Sequence, residues 1–185
     1  MSLKHMTRIQ RIRYCAIVRW TVYIIYLFIC TVLINTGKGV HPIHFIPLCI
    51  CICMHEGEYT AAVLGGICGL LIDQAYGRVF FGFSSIIMIA ICVGSTIIFR
   101  HYLFRNIANS VIMTAVSVFI YQLLDFFFCY AMWNYEGAGR VFSSISVPCI
   151  FYTIAVSPIA YIAVMPIVKR FYPKKEIMAQ ITMKM

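Results

Sequence analysis

Long apolar runs alternate with short polar breaks along this chain, and the breaks mark where helices begin and end. The first run, from about Cys15 or Ala16 to Asn35, predicts a membrane-length helix. The turn-like stretch Asn35-Thr36-Gly37-Lys38-Gly39 ends it, and Pro42 opens a second run to about Met54 that is short for a full crossing. His55-Glu56-Gly57-Glu58 interrupts the apolar sequence again, after which Tyr59 to about Tyr76 predicts a third segment. A fourth runs from about Val79 to Phe99 and stops at Arg100-His101; a fifth covers about Ile107 to Trp133. Beyond the polar loop from Asn134 to Arg140, the last run reaches from Val141 to Val168 and contains Pro148, Pro158 and Pro166, which predict a kinked or broken final helix. Six passes account for this pattern. The two short segments around the His55-Glu56 break also fit a re-entrant hairpin, which would leave four passes plus the hairpin.

Composition fixes the class. Of 185 residues, 62% are hydrophobic and 11% charged, and the mean hydropathy is +0.89, so the apolar surface exceeds what a water-soluble globule of this size encloses. The expected fold is all-α: one polytopic transmembrane helical bundle over residues 1–185, flanked by a basic leader (residues 1–14) and a basic tail (residues 169–185). The leader precedes a run too long for a signal peptide's apolar core, so the first helix is expected to be retained. Trp20, Tyr23 and Tyr26 suit the aromatic belt near its start, with Arg19 reaching back to the same interface.

The net charge of +9 is unevenly placed. In a six-pass arrangement one side collects Lys4, Arg8, Arg11, Arg13, Arg19, Arg100, Arg105, Lys169, Arg170, Lys174, Lys175 and Lys184, and the other holds only Lys38, Arg78 and Arg140. Both termini are therefore expected in the cytoplasm, with the basic ends drawn to anionic lipid head groups. The basic residues lie in short juxtamembrane tracts, which does not suit a nucleic-acid partner.

The nine cysteines are scattered through apolar runs, as expected of small core hydrophobes. Cys49, Cys51 and Cys53 have a metal-like spacing, but on a helix the middle residue points away from the other two, so core packing is the expected role; His41, His44 and His55 are expected to be interfacial residues. No cofactor or metal is implied. Serines and histidines lack a nucleophile–base arrangement, and no glycine loop carries the lysine and hydroxyl residue of a phosphate cradle, so catalysis is not expected.

Candidate function instead falls on a few polar and small residues. Asp73 closes the run Gly65-Gly66-Ile67-Cys68-Gly69-Leu70-Leu71-Ile72 and is followed by Gly77 and Gly82; a carboxylate between two apolar segments needs water, a cation or a partner. Gly65 and Gly69, one turn apart, present a small face for close helix contact within this chain or with another. Gly77 and Gly82 are expected to relieve the backbone at the turn and at the mouth of the fourth helix. In the six-pass arrangement Asp73, Arg78, Glu136 and Arg140 lie on the outer side. Asp125, about 27 Å along the fifth pass, nears the same boundary and shares a face with Gln122 and Cys129. Two readings stand: an outer polar cluster in which Arg78 or Arg140 neutralises Asp73 and Asp125, or an Asp73 that caps a turn beside a solvated Asp125.

The spacing Gly66-x-x-Gly69-Leu-Leu-Ile-Asp73-x-x-x-Gly77-x-x-x-x-Gly82, followed by an apolar helix and a basic loop at Arg100 to Arg105, resembles the MreD family of rod shape-determining proteins. The motif covers about Gly65 to Ser84; size, pass number and cytoplasmic termini are similar over most of the chain. The cysteine-rich second segment departs from the aliphatic-and-proline pattern of that family. The resemblance implies a bacterial inner-membrane scaffold of cell elongation and peptidoglycan synthesis that performs no chemistry. It would act with MreC first, and with RodA, its transpeptidase and MreB. It also implies a fold similar to the substrate-binding subunits of energy-coupling-factor vitamin transporters, and such a subunit is the rival function. That rival requires a pocket lined by polar and aromatic groups from several passes.

Overall fold

The computed structural model describes residues 8–36, 43–76, 81–132 and 138–171. Gly77, Arg78, Glu136, Lys38 and the far ends of the leader and tail lie outside them. Helices make up nearly all of the described residues, and no strand occurs among them. In chain order they are α1 (Arg8–Thr36), α2 (Phe45–Cys53), α3 (Glu58–Tyr76), α4 (Phe83–His101), α5 (Ile107–Phe126), α6 (Ala138–Val141) and α7 (Val147–Phe171). Single π-helical segments, Phe127–Ala131 and Phe142–Ser146, continue α5 and lead into α7.

The chain is an all-α membrane bundle with four helices long and apolar enough to cross a bilayer: Tyr14–Ile34, Phe83–His101, Ile107–Tyr130 and Phe142–Arg170. The third segment, α3, matches them in length but carries Glu58 and Asp73 near its two ends and is not among the four. The second expected pass is a different object. With nine residues α2 is about 13 Å long, under half of a hydrocarbon layer of roughly 30 Å.

Burial explains how so short a helix exists there. Every residue of α2 from Phe45 to Cys53 is buried, under side chains of α3, α4, α5 and α7. A helix apolar all round has no face for water and must sit in a core. Its backbone ends are served by threonines of neighbouring helices. The Ile43 amide, just before α2, donates to Thr153 Oγ1 at 3.0 Å, and the Cys53 carbonyl takes the longer arm, 3.4 Å, of a Thr96 hydroxyl proton shared with the Cys92 carbonyl at 2.9 Å. These side chains take up groups that would otherwise be orphaned.

Around this centre, α3 and α4 share the most extensive interface, α5 packs on α7, and α1 lies against α7 and α3. The outward faces are apolar, as lipid requires: Phe28, Ile86, Phe151 and Ile159 are each exposed. Pro47 falls in the first turn of α2, where a missing amide costs nothing. The last helix is not broken. Pro158 and Pro166 lie inside a continuous α7, and the Tyr26 hydroxyl of α1 donates to the Ala163 carbonyl at 3.2 Å, beside the residues Pro166 loosens. Tyr26 thereby ties α1 to α7, and Tyr23 is 1% exposed in the core, so neither serves only the aromatic belt expected of them.

Filling of the centre predicts a steep contrast between α2 and the lipid-facing surface. Ile50→Ala is expected to lower unfolding free energy by about 2–5 kcal/mol, as for other large-to-small core changes. Ile86→Ala, on the outward face of α4, is expected to change it by less than about 0.5 kcal/mol in the same detergent unfolding titration.

Candidate functional site

The glycine–aspartate motif builds one device, the α3–α4 hairpin. A Cβ on Gly65 would lie 2.7 Å from the Met88 carbonyl oxygen, and one on Gly69 would overlap the backbone of Ser84 and Ser85. These two glycines let the helix backbones touch, so their small face is used inside the chain. Gly66, beside them, faces only the flexible Ile89 side chain at 3.6 Å, and its carbonyl accepts from Ser85 Oγ at 3.1 Å. Gly82, at the mouth of α4, has φ +98°, a left-handed conformation that costs glycine least.

Asp73 locks the other side of the turn. Its carboxylate is 1% exposed and accepts from the Gly82 amide (Oδ2, 2.7 Å) and the Ser84 amide (Oδ1, 3.3 Å), the first free N–H groups of α4. A negative charge there is matched by both the donors and the helix dipole. Ser84, fully buried, extends the network to α5 through its hydroxyl contact with the Tyr121 hydroxyl at 2.9 Å.

The expected outer cluster of Asp73, Arg78, Asp125 and Arg140 is not assembled among the described residues: Asp73 is taken up by the Gly82 and Ser84 amides instead, with Tyr121 on the Ser84 hydroxyl. Asp125 is half-buried where α5 gives way to the π-helical turn and accepts from Cys129 Sγ at 3.5 Å, while Gln122 turns to Cys149 on α7. Arg140 is exposed, and its carbonyl accepts from Ser143 and Ser144. Among the described residues Arg140 pairs with neither aspartate. Turn capping by Asp73 is therefore the arrangement formed among the described residues; Arg78 and Gly77 lie outside them.

A second polar cluster, at the opposite end of α3 and α4, was not assembled by sequence reasoning. Arg19, five residues inside the apolar span of α1, is 7% exposed and does not reach back to the interface; it turns inward to Glu56 in the α2–α3 turn. Arg19 Nε lies 2.9 Å from Glu56 Oε1 in a close ionic contact, and Nη2 donates to Oε2 at 3.3 Å, with both side chains 9% exposed. Such a pair compensates two charges that would each be costly alone in a low-dielectric region. Burial pushes the Glu56 carboxyl up, and Arg19 partly offsets this. Beside it, burial and the positive charges of Arg105 and Arg19 push His55 down to about 4. Arg100 holds Glu58 at 2.9 Å in an exposed pair of small energetic weight. A signal existed for this cluster: Arg19 is the one charge set within the first apolar run, and the His55-Glu56 break is the nearest place on its side from which a carboxylate could meet it.

Six of the nine cysteines, Cys49, Cys51, Cys53, Cys68, Cys92 and Cys149, are buried in the core, and Cys15, Cys30 and Cys129 are half-buried. Cys49 Sγ lies 3.1 Å from Cys68 Sγ on α3, whereas Cys51, on the other face of α2, lies 3.4 Å from Ser110 Oγ on α5. The middle cysteine thus points away from its neighbour, as helical spacing requires. No group of three metal-ligating side chains is arranged around an ion among the described residues.

Two substitutions separate these devices. Gly69→Leu is expected to destabilise by at least about 1–3 kcal/mol because backbone atoms of α4 must move, while Gly66→Ala stays near wild type in the same unfolding titration. Glu56→Gln, which strands the Arg19 charge, is expected to cost about 3–5 kcal/mol, and the double change Arg19→Met with Glu56→Met to recover most of it, read as a double-mutant cycle in detergent. Comparisons of the chain with protein-family models, curated proteins and solved structures found no match.

Proposed function

We propose that this chain is a non-enzymatic scaffold of the bacterial cell-elongation machinery, in the inner membrane with both termini in the cytoplasm. MreC is its first partner, and RodA, its transpeptidase and MreB are the wider assembly. The observation that carries this reading is the joint use of the motif. Gly65 and Gly69 set the distance between α3 and α4, Gly82 turns the backbone into α4, and Asp73 caps that helix. Residues from Gly65 to Gly82 serve one hairpin, which is what a scaffold's motif has to do. Orientation follows the lysine and arginine excess on the side where α1 begins and α4 and α7 end.

The rival, a substrate-binding subunit of a vitamin transporter, places a ligand between its helices. In this chain the space between α3, α4, α5 and α7 is filled by the nine buried residues of α2, which supports the scaffold. Affinity purification of the tagged full chain from its native membrane in gentle detergent, with mass spectrometry of what copurifies, tests the choice. Recovery of MreC or of the elongation synthase, weakened by Asp73→Ala, is the expected result; transporter ATPases recovered with a bound small molecule would overturn it.

A further inference from the structure

At the basic end of the bundle a cavity of about 260 Å³ opens between the α2–α3 turn and the end of α4. His55, Glu56, Thr96, Arg100 and Arg105 line it, with the buried Arg19 behind Glu56. Its charge is not balanced. Three guanidinium groups (Arg19, Arg100, Arg105) meet two carboxylates (Glu56, Glu58), and the two ion pairs formed leave Arg105 without one among the described residues. His55, held toward its neutral form first by burial and then by the charges of Arg105 and Arg19, adds no positive charge of its own. A site whose field disfavours a further positive charge favours an incoming anion.

The surroundings fix the kind of anion. Tyr102 and Phe104, on either side of Leu103 and just before Arg105, are 81% and 82% exposed, and Tyr59 at the start of α3 is 83% exposed. Three bared aromatic rings at one end of a membrane bundle belong at the level of the lipid head groups, which sets Arg105 at the depth of lipid phosphates. The cavity is smaller than the roughly 300–1,000 Å³ of pockets for drug-sized molecules and suits a head-group fragment whose acyl chains stay in the bilayer. We infer that this cavity is a binding site for the phosphate of a net-anionic lipid, with Arg105 and Arg100 as its charged donors and the Thr96 and His55 side chains at its wall. Guanidinium groups suit this role because their planar donors engage phosphate oxygens two at a time.

Native mass spectrometry of the full chain from micelles doped with phosphatidylglycerol or phosphatidylcholine tests the site. One phosphatidylglycerol is expected to stay bound where phosphatidylcholine does not, and Arg105→Gln to weaken its retention about tenfold or more without changing the melting temperature, since Arg105 carries no ion pair among the described residues. Lys169→Gln, an exposed charge at the same end but outside the cavity, is expected to leave retention unchanged. Equal retention of both lipids, indifference to Arg105→Gln, or equal weakening by Lys169→Gln would each overturn the proposal. Displacement of the lipid by millimolar inorganic phosphate would also overturn it, by making a soluble anion the ligand.

Discussion

A helix of nine residues with no polar face cannot cross a bilayer and cannot face water, so the rest of the bundle must enclose it. Most of the architecture follows from α2. Its sides demand apolar cover from α3, α4, α5 and α7, and its two ends expose backbone groups that need partners. Thr153 and Thr96 meet the groups at those ends, and each also bonds a carbonyl of its own helix, Cys149 and Cys92, so α2 is fastened to α7 above and α4 below. The cysteines of α2 suit this position because small, weakly polar side chains pack on close neighbours without demanding partners.

The two ends of the α3–α4 hairpin are then held by different physics. At one end a carboxylate is taken up by helix amides, and charge is spread into a dipole. At the other, charges are neutralised by charges: Arg19 by Glu56 inside the bundle, Arg100 by Glu58 at its rim. The first arrangement holds one carboxylate on neutral amides, whereas the second carries more guanidinium groups than carboxylates. That asymmetry is why the anion site falls at the basic end, and it agrees with the distribution of lysine and arginine along the chain.

The α3–α4 hairpin also explains why a motif can be sharp without any chemistry at its residues. Gly65 and Gly69 have no tolerance for a side chain because the opposing atoms are backbone, which cannot rotate away. Gly66, one position along, faces a side chain that can. Position-specific demand of this kind comes from packing geometry.

The sequence by itself determined the membrane class, the helical fold, the bounds of α3, α4 and the start of α5 to within a few residues, and the special standing of Gly65, Gly69, Asp73 and Gly82, because apolar run length and glycine spacing are local signals. It also offered both roles for Asp73 without choosing, since a carboxylate at a turn reads alike whether a cation or a helix terminus receives it. Tertiary structure placed Asp73 on the amides of α4, shortened the second pass to a buried half-length helix, and kept α7 continuous through two prolines with Tyr26 bonding the backbone beside one of them. Arg19 shows the physical reason. Whether a charge within an apolar run snorkels to water or turns inward depends on a carboxylate 37 residues away, and only the packing of α1 against the bundle brings the two within 2.9 Å.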